Sequence, residues 1–167
     1  MDNLNEKQKH MEERIKYVMA RLSGKDAPDR IEKMMNPHFI SCSYEEKSLT
    51  IAYDVVEWEL NPQGAFHGGL TTTAFDNVFG LLTHFFADET YVTTVEISTH
   101  FHKAIQLGDR MVVSVKATHI GKTLAGYTGE LRIANRDNLL AATASTTFMM
   151  LHGKKSELLD TQNQNNN

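Results

Sequence analysis

Residues 61–86 read "NPQGAFHGGLTTTAFDNVFGLLTHFF", and this stretch decides the fold. From Gly68 to Phe86, the apolar residues Leu70, Ala74, Phe75, Val78, Phe79, Leu81, Leu82, Phe85 and Phe86 recur around the whole circumference of a helix. A helix that is apolar on nearly all sides is buried on nearly all sides. It is shorter than the roughly 20 apolar residues of a membrane span, and it carries Asp76, Asn77 and His84. The reading that fits is a helix enclosed by a sheet.

The flanks supply that sheet. Upstream, "FISCSYEEKSLTIAYDVV" holds two β-rich runs divided by "EEKS", a hairpin with a polar turn. Downstream come "YVTTVEISTHFHKAI", "DRMVVSVKATHIG", "KTLAGYTGELRIA" and "NLLAATASTTFMML", rich in β-branched and aromatic residues and divided by "QLGD", "GK" and "NRD". The order of two strands, one long helix and four strands predicts an α+β fold: about six antiparallel strands wrapped around one central helix.

A helical extension precedes it. Met11, Ile15, Val18, Met19 and Leu22 recur at spacings of three and four on a charged background that ends at Gly24, an amphipathic helix over 5–22. A second short helix is expected to start near Asp26, with Pro28 in its first turn, to bury Ile31, Met34 and Met35, and to stop at Pro37. The chain thus divides into an extension over 1–37, a domain over 38–152 and a polar tail over 153–167. The tail has too little apolar surface to offset the entropy of ordering it, and disorder is expected there.

Composition excludes several classes. The formal net charge is -4, from 17 basic and 21 acidic residues in no long block of one sign. That argues against a nucleic-acid or anionic-membrane partner. Cys42 is the only cysteine, so neither an internal disulfide nor a thiolate zinc site can form. With no leader-like start and no membrane segment, a cytoplasmic protein is expected.

The question raised by the central helix is its carboxylate. An ionised Asp without a partner or water would cost several kcal/mol of desolvation, roughly. At helical spacing Gly69, Thr72, Thr73, Asp76, Gly80 and Thr83 share one small, polar side, which is expected to border a cleft. Just before it, Gly68 and Gly69 stand at the helix start, where backbone N–H groups lack intrahelical acceptors and the macrodipole is positive. A carbonyl polarised there, with a carboxylate to activate water or attack directly, outlines acyl transfer or hydrolysis. Asp76 lies eight residues past Gly68, however, about 12 Å along a helix. One chain cannot bring both to one carbonyl. A two-fold dimer can, by setting the helix start of one subunit against the Asp of the other.

Asn61, Gly64, His67-Gly68-Gly69 and Asp76, on a loop and buried helix between two strands and four, resemble the hotdog-fold acyl-CoA thioesterases of the PaaI and thioesterase superfamily member 2 group. The resemblance covers about residues 38–152. It implies Asp76 as general base or nucleophile and the Gly68 N–H as the group that polarises the thioester carbonyl. It implies that Asn61 positions substrate or water, and that His67 supports the loop or contacts the thioester. A hydroxyl on the following strand is expected near the Asp, Thr94 ahead of Thr93. Gly64, Gly69, Thr72 and Thr73 are expected along the substrate. The implied substrate is an acyl-CoA, with no metal or bound cofactor, and the implied assembly is a homodimer or a dimer of dimers. His102 and Lys103 stand where many relatives carry a Pro-containing pair.

Each residue also has a plainer reading. Asp76 could pair locally, His67 could be satisfied by backbone, Gly68 and Gly69 could serve a tight turn, and Asn61 before Pro62 could form a turn. His100 and His102 share a strand face but lack further ligands at metal-site spacing. Cys42 has no basic neighbour and reads as a packed thiol. Phe75, Phe79 and Phe85 fit an acyl-pocket wall or the core equally. Lys103, Arg110, Lys122, Arg132 and Arg136 are candidates for the CoA phosphates. Two other functions remain open on the same fold: a non-catalytic acyl-CoA binding module, and an enoyl-CoA hydratase or dehydratase using His67 with Asp76.

Overall fold

A computed structural model describes residues 2–88 and 90–155, with side chains over 3–88 and 90–151. Helix α1 spans Asp2–Ser23 and α2 spans Ile31–Met34. Strands β1 (His38–Ser43) and β2 (Ser48–Asp54) lead through a 3-10 turn at Glu57–Glu59 into α3 (Gly68–Phe86). Then follow β3 (Thr90–Phe101), β4 (Arg110–Ile120), β5 (Leu124–Ile133) and β6 (Leu139–Lys155). The six strands form one sheet in the order β1-β2-β4-β5-β6-β3, with every neighbouring pair antiparallel.

The expected helix is found over the expected residues. Phe75, Val78, Phe79 and Leu82 are fully buried against the sheet, each burial worth about 1.5–3 kcal/mol. Leu49 and Ile51 on β2, Met111 and Val113 on β4, and Leu131 on β5 face them. Gly129 on β5 lets the helix come this close. A Cβ there would stand 3.0 Å from Val115 Cγ1 and 3.1 Å from the Phe75 ring.

Among the four strands after the helix, β3 does not neighbour β4 and pairs with β6 at the far edge of the sheet. Two expectations are revised. The short helix starts at Ile31 rather than near Asp26; Met35 is buried and Ile31 partly so, but Met34 is 49% exposed. Pro28 sits in the turn before it, where its ring limits the backbone without opening a helix. The polar tail was expected from 153, but β6 runs to Lys155, and 156–167 lie outside the described residues.

The two sheet edges differ. On β1 the side chain of Gln8 from α1 fills the role of a neighbouring strand: Nε2 donates to the Cys42 carbonyl at 2.9 Å, and Oε1 accepts from the Tyr44 N–H at 2.7 Å. On β3 no element covers the outer edge among the described residues, and Tyr91, Val95 and Phe101 are exposed there.

Candidate active site

Strand β3 contains the detail that assembles the site. Thr94 pairs with Phe148 and Glu96 with Thr147, so Val95 is an extra residue, a bulge. Before it Val92 and Thr94 turn inward; after it the inward positions become Ile97 and Thr99. Without the bulge, strict alternation would carry Thr94 and Thr99 to opposite faces. With it, both hydroxyls meet α3. Thr94 Oγ1 donates to Asp76 Oδ1 at 2.7 Å, and Thr72 Oγ1 donates to Thr99 Oγ1 at 3.1 Å. The Thr94 bond is the one expected from sequence. Thr99 was missed, because its placement depends on a bulge that no residue type announces.

Asp76 is half-buried on the wall of a cavity of about 330 Å³. Asn77, Gly80, Thr93 and Phe148 share that wall, and Val18, Met19 and Leu22 of α1 form another side of it. Phe75 and Phe79 are fully buried in the core and do not line it, while Phe85 packs on Phe86 and Tyr44. Thr83 also departs from the expected polar side. It is buried, its hydroxyl donating back to the Phe79 carbonyl at 2.7 Å beside Tyr127, whose phenol burial pushes up in pKa.

The helix start is a separate place. His67 is the N-cap of α3, and its Nδ1 accepts the Gly69 N–H at 3.0 Å. An accepting Nδ1 carries no proton, so the neutral ring holds its proton on Nε2. The cap leaves the Gly68 N–H, which has no intrahelical acceptor by position. The turn before it is built by Asn61, whose Oδ1 accepts from the Gln63 N–H at 2.9 Å and the Ala65 N–H at 3.2 Å. Gly64 closes that turn at φ +79, a left-handed conformation suited to glycine. Beneath it, the buried Glu59 accepts the Val56 N–H on Oε2 and the His67 N–H on its carbonyl. Burial pushes the Glu59 carboxyl up in pKa, offset in part by the Val56 bond.

Asn61 and Gly68 line a groove of about 420 Å³ together with Phe101, His102 and Lys103. Within one chain, the candidate oxyanion donor and the candidate carboxylate therefore face different hollows. Of the basic candidates, Arg110 is paired with Asp54 at 2.7 Å, Arg132 with Glu130 at 2.9 Å and Arg136 with Asp109 at 3.1 Å. Lys122 lies in the turn between β4 and β5, away from both hollows. Lys103 alone among these five lines the groove of Gly68. Thr73 donates to the Gly69 carbonyl at 2.9 Å. His102 bonds Thr143 at 3.0 Å, and no group of three or more potential metal ligands occurs among the described residues. Cys42 is half-buried and desolvation pushes its thiol up in pKa, as fits a packed thiol. No helix among the described residues is long and apolar enough to cross a membrane.

Residues 63–139 match the model of the thioesterase superfamily. A Deinococcus radiodurans protein, provisionally described as an esterase, is 30% identical over 96 residues; the match spans 58% of this chain and 64% of that protein's length. The Escherichia coli PaaI protein of the phenylacetic acid degradation operon superposes with a TM-score of 0.74 at 17% identity, over 89% of this chain and 99% of that one. A Streptococcus mutans protein solved with acetyl-CoA superposes with a TM-score of 0.62 at 24% identity, over 72% of this chain and 92% of that one. At those identities the structural likeness speaks for the fold, and the family match covers α3 and the strands β3 to β5. The chain has the hotdog fold of these structures, and within it residues 63–139 match the thioesterase superfamily.

Proposed function

We propose that this chain hydrolyses an acyl-CoA thioester to a free acid and CoA. The observation that carries the proposal is the Thr94 hydroxyl donating at 2.7 Å to a carboxylate on a cavity wall. A threonine that donates one hydrogen bond to Asp76 leaves the other carboxylate oxygen for water, or for direct attack. In the water route, Asp76 accepts a proton as the water oxygen bonds the thioester carbonyl carbon. The tetrahedral intermediate then collapses, the C–S bond breaks, and the CoA thiolate leaves and takes up a proton. Asp76 as nucleophile reaches the same products through an acyl-enzyme that water opens.

The oxyanion donor is the Gly68 N–H of a second copy. Thr94 beside Asp76 and Phe101 beside Gly68 lie on the same uncovered edge strand, a Cβ on Gly68 being 3.5 Å from the Phe101 ring. Antiparallel pairing of two β3 strands swaps those ends, bringing each Gly68 toward the other subunit's Asp76. Exposed Val95 and Phe101 favour such pairing. CoA follows the groove at the helix start, its phosphates near Lys103, and the acyl group is of aromatic or medium-chain size. The S. mutans relative solved with acetyl-CoA supports this class of substrate.

The test is free-thiol release from short, medium, long and aryl acyl-CoA esters by wild type and Asp76→Asn, with folding checked by circular dichroism. Release that needs Asp76 is the expected outcome. Acyl-CoA binding without release from any ester would turn the reading to a binding module. Water addition to an enoyl-CoA would turn it to a hydratase.

A further inference from the structure

We infer that Gly80 and helix α1 together measure the acyl group: the empty side-chain position at Gly80 opens the chamber beside Asp76, and α1 closes its far wall. This rests on the acyl-CoA reading above and adds a specificity-determining residue to it.

Glycine inside a helix is less stable than alanine, so its presence in the middle of α3 needs a reason. Close packing is not that reason. A Cβ on Gly80 would meet only the Phe148 ring, at 3.9 and 4.0 Å, ordinary contact distances. Gly129 is the contrast, since a Cβ there would crowd two neighbours at 3.0–3.1 Å. What Gly80 borders is the cavity of about 330 Å³ that also holds Asp76, one helical turn earlier on the same side. A side chain at 80 would project into that space beside the carboxylate.

The opposite wall comes from Val18, Met19 and Leu22. These residues lie outside 63–139, the part of the chain that matches the family model. Asp76, Thr94 and Gly80 lie within the matched part, and the size limit is set by the helix that precedes the domain. About 330 Å³ is at the low end of small-molecule pockets, roughly 300–1,000 Å³. An apolar acyl group of medium bulk fits it, and a long chain does not while α1 stays docked.

The test uses S-alkyl-CoA thioethers of short, medium and long chain, which cannot be hydrolysed, with binding measured by calorimetry to the full chain. Gly80→Ala is expected to weaken medium-chain binding about 10-fold and leave the shortest unchanged. Leu22→Ala removes bulk from the other wall and is expected to strengthen long-chain binding by a similar factor. Thiol release from the matching thioesters is followed in parallel. Length profiles identical to wild type in both folded variants overturn the chamber, and if Asp76-dependent release persists there, hydrolysis still stands. Shifted binding profiles with no release from any ester uphold the chamber and overturn hydrolysis.

Discussion

The start of α3 and its middle are built by opposite means. At the start, backbone groups are arranged by a polar loop: Asn61 folds the turn, Glu59 anchors it and His67 caps the helix. In the middle, a side chain is held by a side chain, Asp76 by Thr94, inside a cavity closed by a third element. The first region needs its chain path and tolerates exposure. The second needs exact identities and shelter from water. The thioester proposed as substrate joins a polar, phosphorylated carrier to an apolar acyl group, and under that proposal the two regions would receive its two halves.

The largest effect that sharpens this contrast is expected at the middle. Asp76→Asn keeps the shape and should lower kcat by about 10²–10⁴-fold, the usual scale for a general base; circular dichroism must show an unchanged fold. Thr94→Val removes the donor and should cost about 10-fold in kcat with KM nearly unchanged, the equivalent of about 1.4 kcal/mol. A rise in KM alone would assign Thr94 to substrate binding. At the helix start the effects move to KM and stability. Lys103→Ala should raise KM several-fold, and added salt should shrink the difference between variant and wild type.

His67→Ala should cost about 1 kcal/mol through the lost cap, seen as a fall of about 2–4 °C in Tm. Equal loss of kcat in His67→Ala and Asp76→Asn would break the contrast and make the histidine catalytic. The smallest effect belongs to Glu59. Burial raises its pKa above the unfolded value, so the native state holds the proton more tightly. Its contribution to stability is complete below the unfolded pKa and is lost as pH rises through the folded one. Glu59→Gln, which can still accept from Val56, should flatten that part of a urea-denaturation series across pH.

The two regions were also unequally legible in the sequence. The helix over 68–86 was plain from its apolar circumference, Asp76 stood out as the carboxylate within it, and Thr94 beside it was implied by the family resemblance alone. The bulge at Val95 was not, because an extra residue in a strand changes phase without changing composition. Thr83 was misjudged for a related reason: a threonine can bond its own helix backbone and then enter a core. Phe75 and Phe79 had two open readings that only packing separates, and they belong to the core. The wall from α1 was beyond reach, since nothing in an amphipathic helix says which cavity it will close. At the helix start, by contrast, the turn-forming reading of Asn61 and the backbone-satisfied reading of His67 were both available from local chemistry.

Gln8 has a consequence for how copies of this chain associate. Its amide takes up the Cys42 carbonyl and the Tyr44 N–H at the β1 edge, while no described element covers the outer edge of β3. If two copies pair through β3 as proposed, each edge of the longer sheet carries a glutamine amide, and that amide works against the addition of a third strand edge to edge.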